Sequence, residues 1–339
     1  MNVCFVNPFF FAKSALERRF KTFYFPLGLL YLAAAVRQAD FEVSLFDGTF
    51  KQGEKDFEAE LEKLNPDVVC IASWITVQPA ALRLAEIAAG YGVPVVMGGP
   101  GPSSDPGSYL ASSAVDALVL GEGDRTLIKF LNALKDDRRL IKLKGLALRD
   151  ENGGILKTAK RELIHNLDDL PFPARDLIDV ETYLETWEKS HGYRSLTLSL
   201  SRGCPDLDCP YCADAVMGAG LRIRSVGNVV AEMLHLQAEY AIDRFRFVDD
   251  LNRLDPEWLR ELGEAMAEAG VDIPYEGLNT IVHEGLPMLA QTRDICHERN
   301  AWIPTQGKHG HAPPTEDVQL LRRRWEQAML FVDERLEDP

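Results

Sequence analysis

The segment Ser195–Cys212, "SLTLSLSRGCPDLDCPYC", joins an alternating β-type run to three cysteines. Residues 195–201 read as a strand, and Arg202-Gly203 ends it. Cys204, Cys209 and Cys212 then fall within nine residues, and Gly203, Pro205 and Pro210 keep that stretch in a loop. Three thiols cannot all pair as disulfides, and they fall one ligand short of a closed zinc site. A loop that follows a strand and precedes a helix, here one beginning near Ser225, is where an α/β barrel carries chemistry. Thiolates projecting from one loop are also what an iron–sulfur cluster needs. Three readings stand: a cluster with one iron left open, a zinc site completed by a histidine such as His309 or His311, or thiols that have lost their role.

The rest of the chain narrows the setting. Its 339 residues are enough for two domains, and at 46% hydrophobic it can bury a substantial core. A formal net charge of −15 argues against a nucleic-acid partner. The longest apolar run, 27–36, is about half of what a bilayer span needs. The opening "MNVCFVNPFF" has no charged region before its apolar run, so it does not read as a secretory signal. A cytoplasmic protein without a membrane span is expected, and there clustered cysteines serve as metal ligands or catalytic groups more often than as disulfides. Cys4 and Cys70 lie in apolar runs and read as core thiols, and Cys296 stands alone.

Upstream, short apolar runs at 2–7, 41–47, 67–73, 93–99 and 116–123 alternate with amphipathic segments at 27–39, 54–64, 79–90, 103–113 and 125–134. That alternation predicts an open parallel sheet, which binds ligands beyond the carboxyl ends of its strands. Those ends carry Asn7, Asp47-Gly48, Ser73 to Thr76, Gly98-Gly99 and Gly121-Glu122-Gly123. The dinucleotide fingerprint G-x-G-x-x-G does not follow the first strand.

In order and wording, "VNPFF", "FPLGLLYLAAAVRQADFEVSLFDG", "SWIT", "VVMGGPGPS" and "LVLGEGD" resemble the cobalamin-binding domain at the front of B12-dependent radical S-adenosylmethionine (SAM) proteins. The resemblance covers most of residues 1–135 and implies cobalamin contacts near Asn7, Ser73, Thr76, Gly98, Gly99, Gly121 and Glu122. The first histidine is His165, so this domain supplies no imidazole to cobalt, and the family's Asp-x-His motif is reduced to Asp47-Gly48-Thr49. "SRGCP…CPYC" closely resembles the cluster motif of the same family, including Tyr211 before the last cysteine. The resemblance implies a [4Fe–4S] cluster on Cys204, Cys209 and Cys212 whose open iron chelates SAM, with Tyr211, Asp249 and Asp250 on the SAM side. It also implies reductive cleavage of SAM to a deoxyadenosyl radical and an electron donor such as flavodoxin or ferredoxin. Methyl transfer to carbon is the leading activity, on an unidentified small-molecule or peptide substrate. Radical rearrangement or cyclisation, or a non-catalytic cobalamin carrier or sensor, are the alternatives. One departure is plain: four residues, not three, separate Cys204 from Cys209. One extra residue can move a thiol by up to ~3.5 Å unless the loop bulges.

The expected organisation is α/β: a Rossmann-like cobalamin-binding domain over 1–135, a hairpin and linker over 136–194, a partial radical SAM barrel over 195–286 and a helical tail over 287–339. The hairpin turns at Asn152-Gly153-Gly154, and Pro171 and Pro173 argue against helix in the linker. After 195–201, further barrel strands end at Asp249-Asp250 and span 272–280, and Asp255-Pro256 starts a helix. Helices over 287–299 and 316–337 are expected to cover the open side of this short barrel.

Overall fold

In this computed structural model the described residues are 1–136, 139–203, 220–250 and 254–278. The cysteines of 204–212, Tyr211, His309, His311 and the expected C-terminal helices lie outside them.

The first sheet has seven strands, in the order Glu42–Asp47, Asn2–Asn7, Val68–Ala72, Val95–Gly98, Ala117–Val119, Leu146–Arg149 and Ile155–Lys157. β1 (Asn2–Asn7), β2 (Glu42–Asp47), β3 (Val68–Ala72), β4 (Val95–Gly98) and β5 (Ala117–Val119) run parallel. Alternate residues of the central strands face opposite layers, as the period of two requires. Cys4, Val6, Val69 and Ile71 pack with Phe57, Leu61, Leu84 and Ala88 of helices Glu54–Leu64 and Gln78–Gly90. Val3, Phe5, Val68 and Cys70 pack with Leu29, Ala33, Leu127 and Phe130 of helices Leu27–Gln38 and Asp124–Lys135. Cys4 and Cys70 are therefore core thiols, and burial raises the pKa of each.

Three local features differ from the sequence reading. The hairpin β6 (Leu146–Arg149) and β7 (Ile155–Lys157) is part of the first sheet, pairing antiparallel beside β5. It covers an edge that would otherwise leave backbone groups unpaired. Its Arg149 also donates to the carbonyls of Leu110 at 2.9 Å, Ser112 at 2.8 Å and Val115 at 2.6 Å. The helix expected over 103–113 is two short helices, Pro100–Ser104 and Pro106–Leu110. Pro106 disfavours helical backbone at Asp105, which instead caps the second piece through Ser108 N.

The linker contains a helix, Val180–His191, opened by Asp179 and closed by Gly192 at φ +82°. It buries Val180, Tyr183, Leu184 and Trp187. Phe23 meets Tyr183 and Trp187 edge-on at centroid distances of 5.8 and 5.6 Å, and Phe25 stacks on Tyr183 at 4.3 Å. This aromatic cluster binds the helix to the first domain.

The second sheet holds β8 (Ser195–Leu198), β11 (Arg244–Asp250) and β12 (Tyr275–Leu278), all parallel, in the order β12-β11-β8. Helices Val226–Glu239 and Pro256–Ala269 connect them, capped by Ser225 and Asp255 as the sequence indicates. Between β8 and the first of these helices lies a ribbon of β9 (Ser201–Arg202) and β10 (Arg222–Ile223). Among the described residues no helix is long and apolar enough to cross a membrane.

Candidate functional site

The carboxyl ends of the parallel strands in the first sheet gather Asn7, Ser73, Gly98-Gly99 and the turn from Gly121 to Asp124 along one edge. Asn7 is 2% exposed and donates through Nδ2 to Asp47 Oδ1 at 2.9 Å and Thr49 Oγ1 at 3.1 Å. Those partners fix the amide orientation, and they leave Asn7 Oδ1 buried with no hydrogen-bond donor among the described residues. Just past β3, Trp74 lies 6.5 Å from Phe9 by ring centroids, Ile75 is 69% exposed and Thr76 is exposed. A buried orphan acceptor beside an exposed apolar step is an arrangement that a large, amide-bearing ligand could satisfy.

Asp47-Gly48-Thr49 is a structural knot. Asp47 Oδ1 accepts from Thr49 N at 3.1 Å and Thr49 Oγ1 at 2.7 Å. Tyr183 OH lies 2.7 Å from both Asp47 Oδ2 and Thr49 Oγ1. Burial, with Asp47 beside it, holds the Tyr183 phenol well above its ordinary pKa, so it remains a donor.

Ser73 is committed to the fold. Its Oγ lies 2.9 Å from Tyr109 OH, and its carbonyl accepts from Gly101 N at 3.1 Å. Gly98 and Gly99 separate here. A methyl on Gly98 would meet Val119 O at an ordinary 3.5 Å, whereas one on Gly99, at φ +106°, would strike Ser73 O at 2.7 Å. Gly99 is thus required by the turn itself, and a branched side chain there would report a broken turn rather than a filled ligand space. Gly98→Ala should melt close to the parent protein, while Gly99→Ala should lose about 1–3 kcal/mol, both read by thermal unfolding.

Glu122 is likewise engaged. Its Oε2 accepts from Ile164 N at 3.1 Å and lies 3.3 Å from Arg161 Nη2, while Oε1 lies 2.7 Å from Arg222 Nη1. Two residues on, Asp124 receives Arg202 through both carboxylate oxygens, at 2.7 and 3.1 Å. Arg202 stands two residues before Cys204. The root of the cysteine loop is therefore held against the carboxyl edge of the first sheet.

On its other side the root is held by Asp249. This carboxylate accepts from Leu200 N at 2.6 Å, Ser201 N at 2.7 Å and Ser201 Oγ at 2.6 Å. Burial pushes its pKa up, and those donors pull it back. Of the residues expected on the SAM side, Asp249 is thus turned to the chain that enters the loop, and Tyr211 and the Asp250 side chain lie outside the described residues. Nothing local in the sequence gives Arg161, Asp124 or Tyr183 a role, and Arg202 stands out there only as the end of a strand.

Residues 14–131 match the B12 binding domain family. Over 268 residues the chain is 32% identical to an uncharacterised methyltransferase of Pyrococcus horikoshii, covering 78% of this chain and 57% of the relative. It is 29% identical over 295 residues to the cytidylyl-2-hydroxyethylphosphonate methyltransferase of Streptomyces wedmorensis, covering 73% of this chain and 55% of that one. The chain therefore spans little more than half the length of these curated relatives. The solved structure of OxsB, a cobalamin-dependent S-adenosylmethionine radical enzyme, superposes with a TM-score of 0.66 at 18% identity, covering 81% of this chain and 38% of OxsB. At that identity the match speaks for the fold. Residues 14–131 thus match a B12-binding domain, the chain is similar to methyltransferases over most of its length, and its fold is that of a cobalamin-dependent S-adenosylmethionine radical enzyme.

Proposed function

We propose that this chain is a cobalamin-dependent radical SAM enzyme that transfers a methyl group to a carbon of a small-molecule or peptide substrate. The observation that carries this reading is the 2.7 Å contact of Arg202 with Asp124, which roots the cysteine loop on the ligand edge of a B12-binding domain. An enzyme that uses both groups needs them side by side.

Cobalamin would sit along that edge, near Asn7, Thr76, Gly98 and Gly121. Asn7 Oδ1 supplies an acceptor, and Trp74 and Ile75 supply apolar surface for a corrin face. Ser73, Gly99 and Glu122 serve this site by shaping its turns. Cys204, Cys209 and Cys212 would hold a [4Fe–4S] cluster, with Tyr211 and Asp250 beside SAM and Asp249 fixing the strand end before the loop. When bound, the cluster supplies the electron for SAM cleavage, and cobalamin supplies a transferable methyl. A flavodoxin- or ferredoxin-type donor would deliver the electron. A non-catalytic cobalamin carrier is the second reading, favoured by a second sheet with only three strands among the described residues.

The reading has a spectroscopic test. The B12-binding segment contains no histidine, since His165 is the first in the chain. Co(II)alamin bound to uniformly ¹⁵N-labelled protein should give an electron paramagnetic resonance spectrum without splitting from a protein imidazole. Imidazole splitting that changes with the protein label contradicts the proposed site, as does failure of the full chain to bind cobalamin.

A further inference from the structure

The turn Gly121–Asp124 grips both ends of the cysteine loop. Arg202 and Arg222 are directly paired across the β9–β10 ribbon, so the chain leaves for the cysteines beside one and returns beside the other. Each arginine is held by a carboxylate of the same turn, Arg202 by Asp124 and Arg222 by Glu122. All four side chains are largely buried: Glu122 is 1% exposed, Asp124 4%, Arg222 9% and Arg202 22%. Gly203 has φ +84°, and a methyl there would strike the Gly220 carbonyl, so the two ends of the loop run in close contact.

The turn also belongs to the ligand edge. It leaves the carboxyl end of β5, and Gly121 N donates to Ser103 Oγ at 2.8 Å, next to the Gly98-Gly99 turn. Arg222 Nε and Nη2 are buried without a hydrogen-bond partner among the described residues.

On the reading that this edge binds cobalamin, we infer that Glu122 and Asp124 are positioning residues that couple occupancy of the cobalamin edge to the ordering of the β9–β10 ribbon, where the chain leaves for the cysteines and returns from them. The bidentate pair is directional, and breaking either contact strands a buried charge, so the ribbon cannot shift independently of the turn. A ligand that orders the turn therefore orders the ribbon, and the coupling runs both ways.

The test is amide hydrogen exchange in the full chain, with and without hydroxocobalamin, alongside the cobalamin affinity of each variant. In the parent protein cobalamin should slow exchange at residues 201–203 and 220–223 by about fivefold or more. In Asp124→Asn that response should vanish while cobalamin still binds, and Asp124→Glu should restore part of it. Arg202→Lys keeps the charge but loses the two-pronged contact, and it should behave like Asp124→Asn should the latter fold poorly. A variant that merely loosens the ribbon would exchange faster throughout yet keep the cobalamin response. Binding without a ribbon response in the parent, or a response that survives in both Asp124→Asn and Arg202→Lys, overturns the coupling alone. Absence of cobalamin binding in the parent overturns the proposed function and the coupling with it.

Discussion

Replacing Glu232 with alanine should cost about 3–5 kcal/mol of stability, because it would leave buried guanidinium groups without their counter-charge. Glu232 lies in the helix Val226–Glu239 with its side chain 1% exposed. Its Oε2 accepts from Arg224 Nη1 at 2.6 Å, and its Oε1 from Arg175 Nη2 at 3.1 Å. Both arginine side chains are 5% exposed. Arg175 also donates to Thr197 O at 2.7 Å, and Arg224 to Ser199 O at 2.8 Å. The triad thus ties the linker and the end of β8 to the first helix of the second sheet. The loss is a large part of the roughly 5–15 kcal/mol that holds a typical domain folded. Glu232→Gln keeps the shape and one acceptor, so it should lose less. Urea unfolding followed by circular dichroism measures both. A loss below about 1 kcal/mol for the alanine variant, the range of exposed pairs, would mean that the charges are screened by solvent.

Replacing any one of Cys204, Cys209 and Cys212 with alanine should abolish the iron–sulfur cluster. Three thiolates are the least that holds a four-iron cluster with one iron open for SAM, so each loss would remove a ligand that the proposed cluster cannot spare. After anaerobic reconstitution, iron and sulfide per chain should fall to the background of the triple variant, and the cluster's visible absorption should disappear. Cobalamin affinity should persist, because the residues that would bind it, Asn7, Thr76, Gly98 and Gly121, belong to the first sheet and its strand ends and none is a cysteine of the loop. The zinc reading predicts the reverse pattern: zinc in the protein as purified, lost in His309→Ala or His311→Ala as well as in the cysteine variants. Cluster loading that ignores both histidines but needs all three cysteines separates the two.

The first sheet was legible because its strands are short apolar runs separated by helices of clear periodicity. Each of the five parallel strands falls within two residues at either end of a run read from sequence, except the short β5. The helix Val180–His191 was equally visible in principle. Val180, Tyr183, Leu184 and Trp187 follow helical spacing, with Asp179 before them and Gly192 after. Pro171 and Pro173 drew the whole stretch into a linker, although a proline forbids helix only near itself. The roles of Asp47 and Glu122 were not legible. Asp47 meets Tyr183 across 136 positions, and Glu122 meets Arg222 across 100, so nothing local in the sequence marks either pair. The residues read as strand ends fall along the carboxyl edge of the first sheet. Their division into those free to meet a ligand and those spent on the turn depended on side-chain partners that only the fold supplies.

Radical chemistry on a cobalamin protein is read from the fate of SAM. The full chain should be reconstituted anaerobically with iron, sulfide and hydroxocobalamin, reduced, and given SAM. A radical SAM enzyme should give 5′-deoxyadenosine that depends on the reductant and on all three cysteines, with cobalamin bound throughout. Intact cluster and bound cobalamin without any 5′-deoxyadenosine would contradict it and leave a cobalamin carrier.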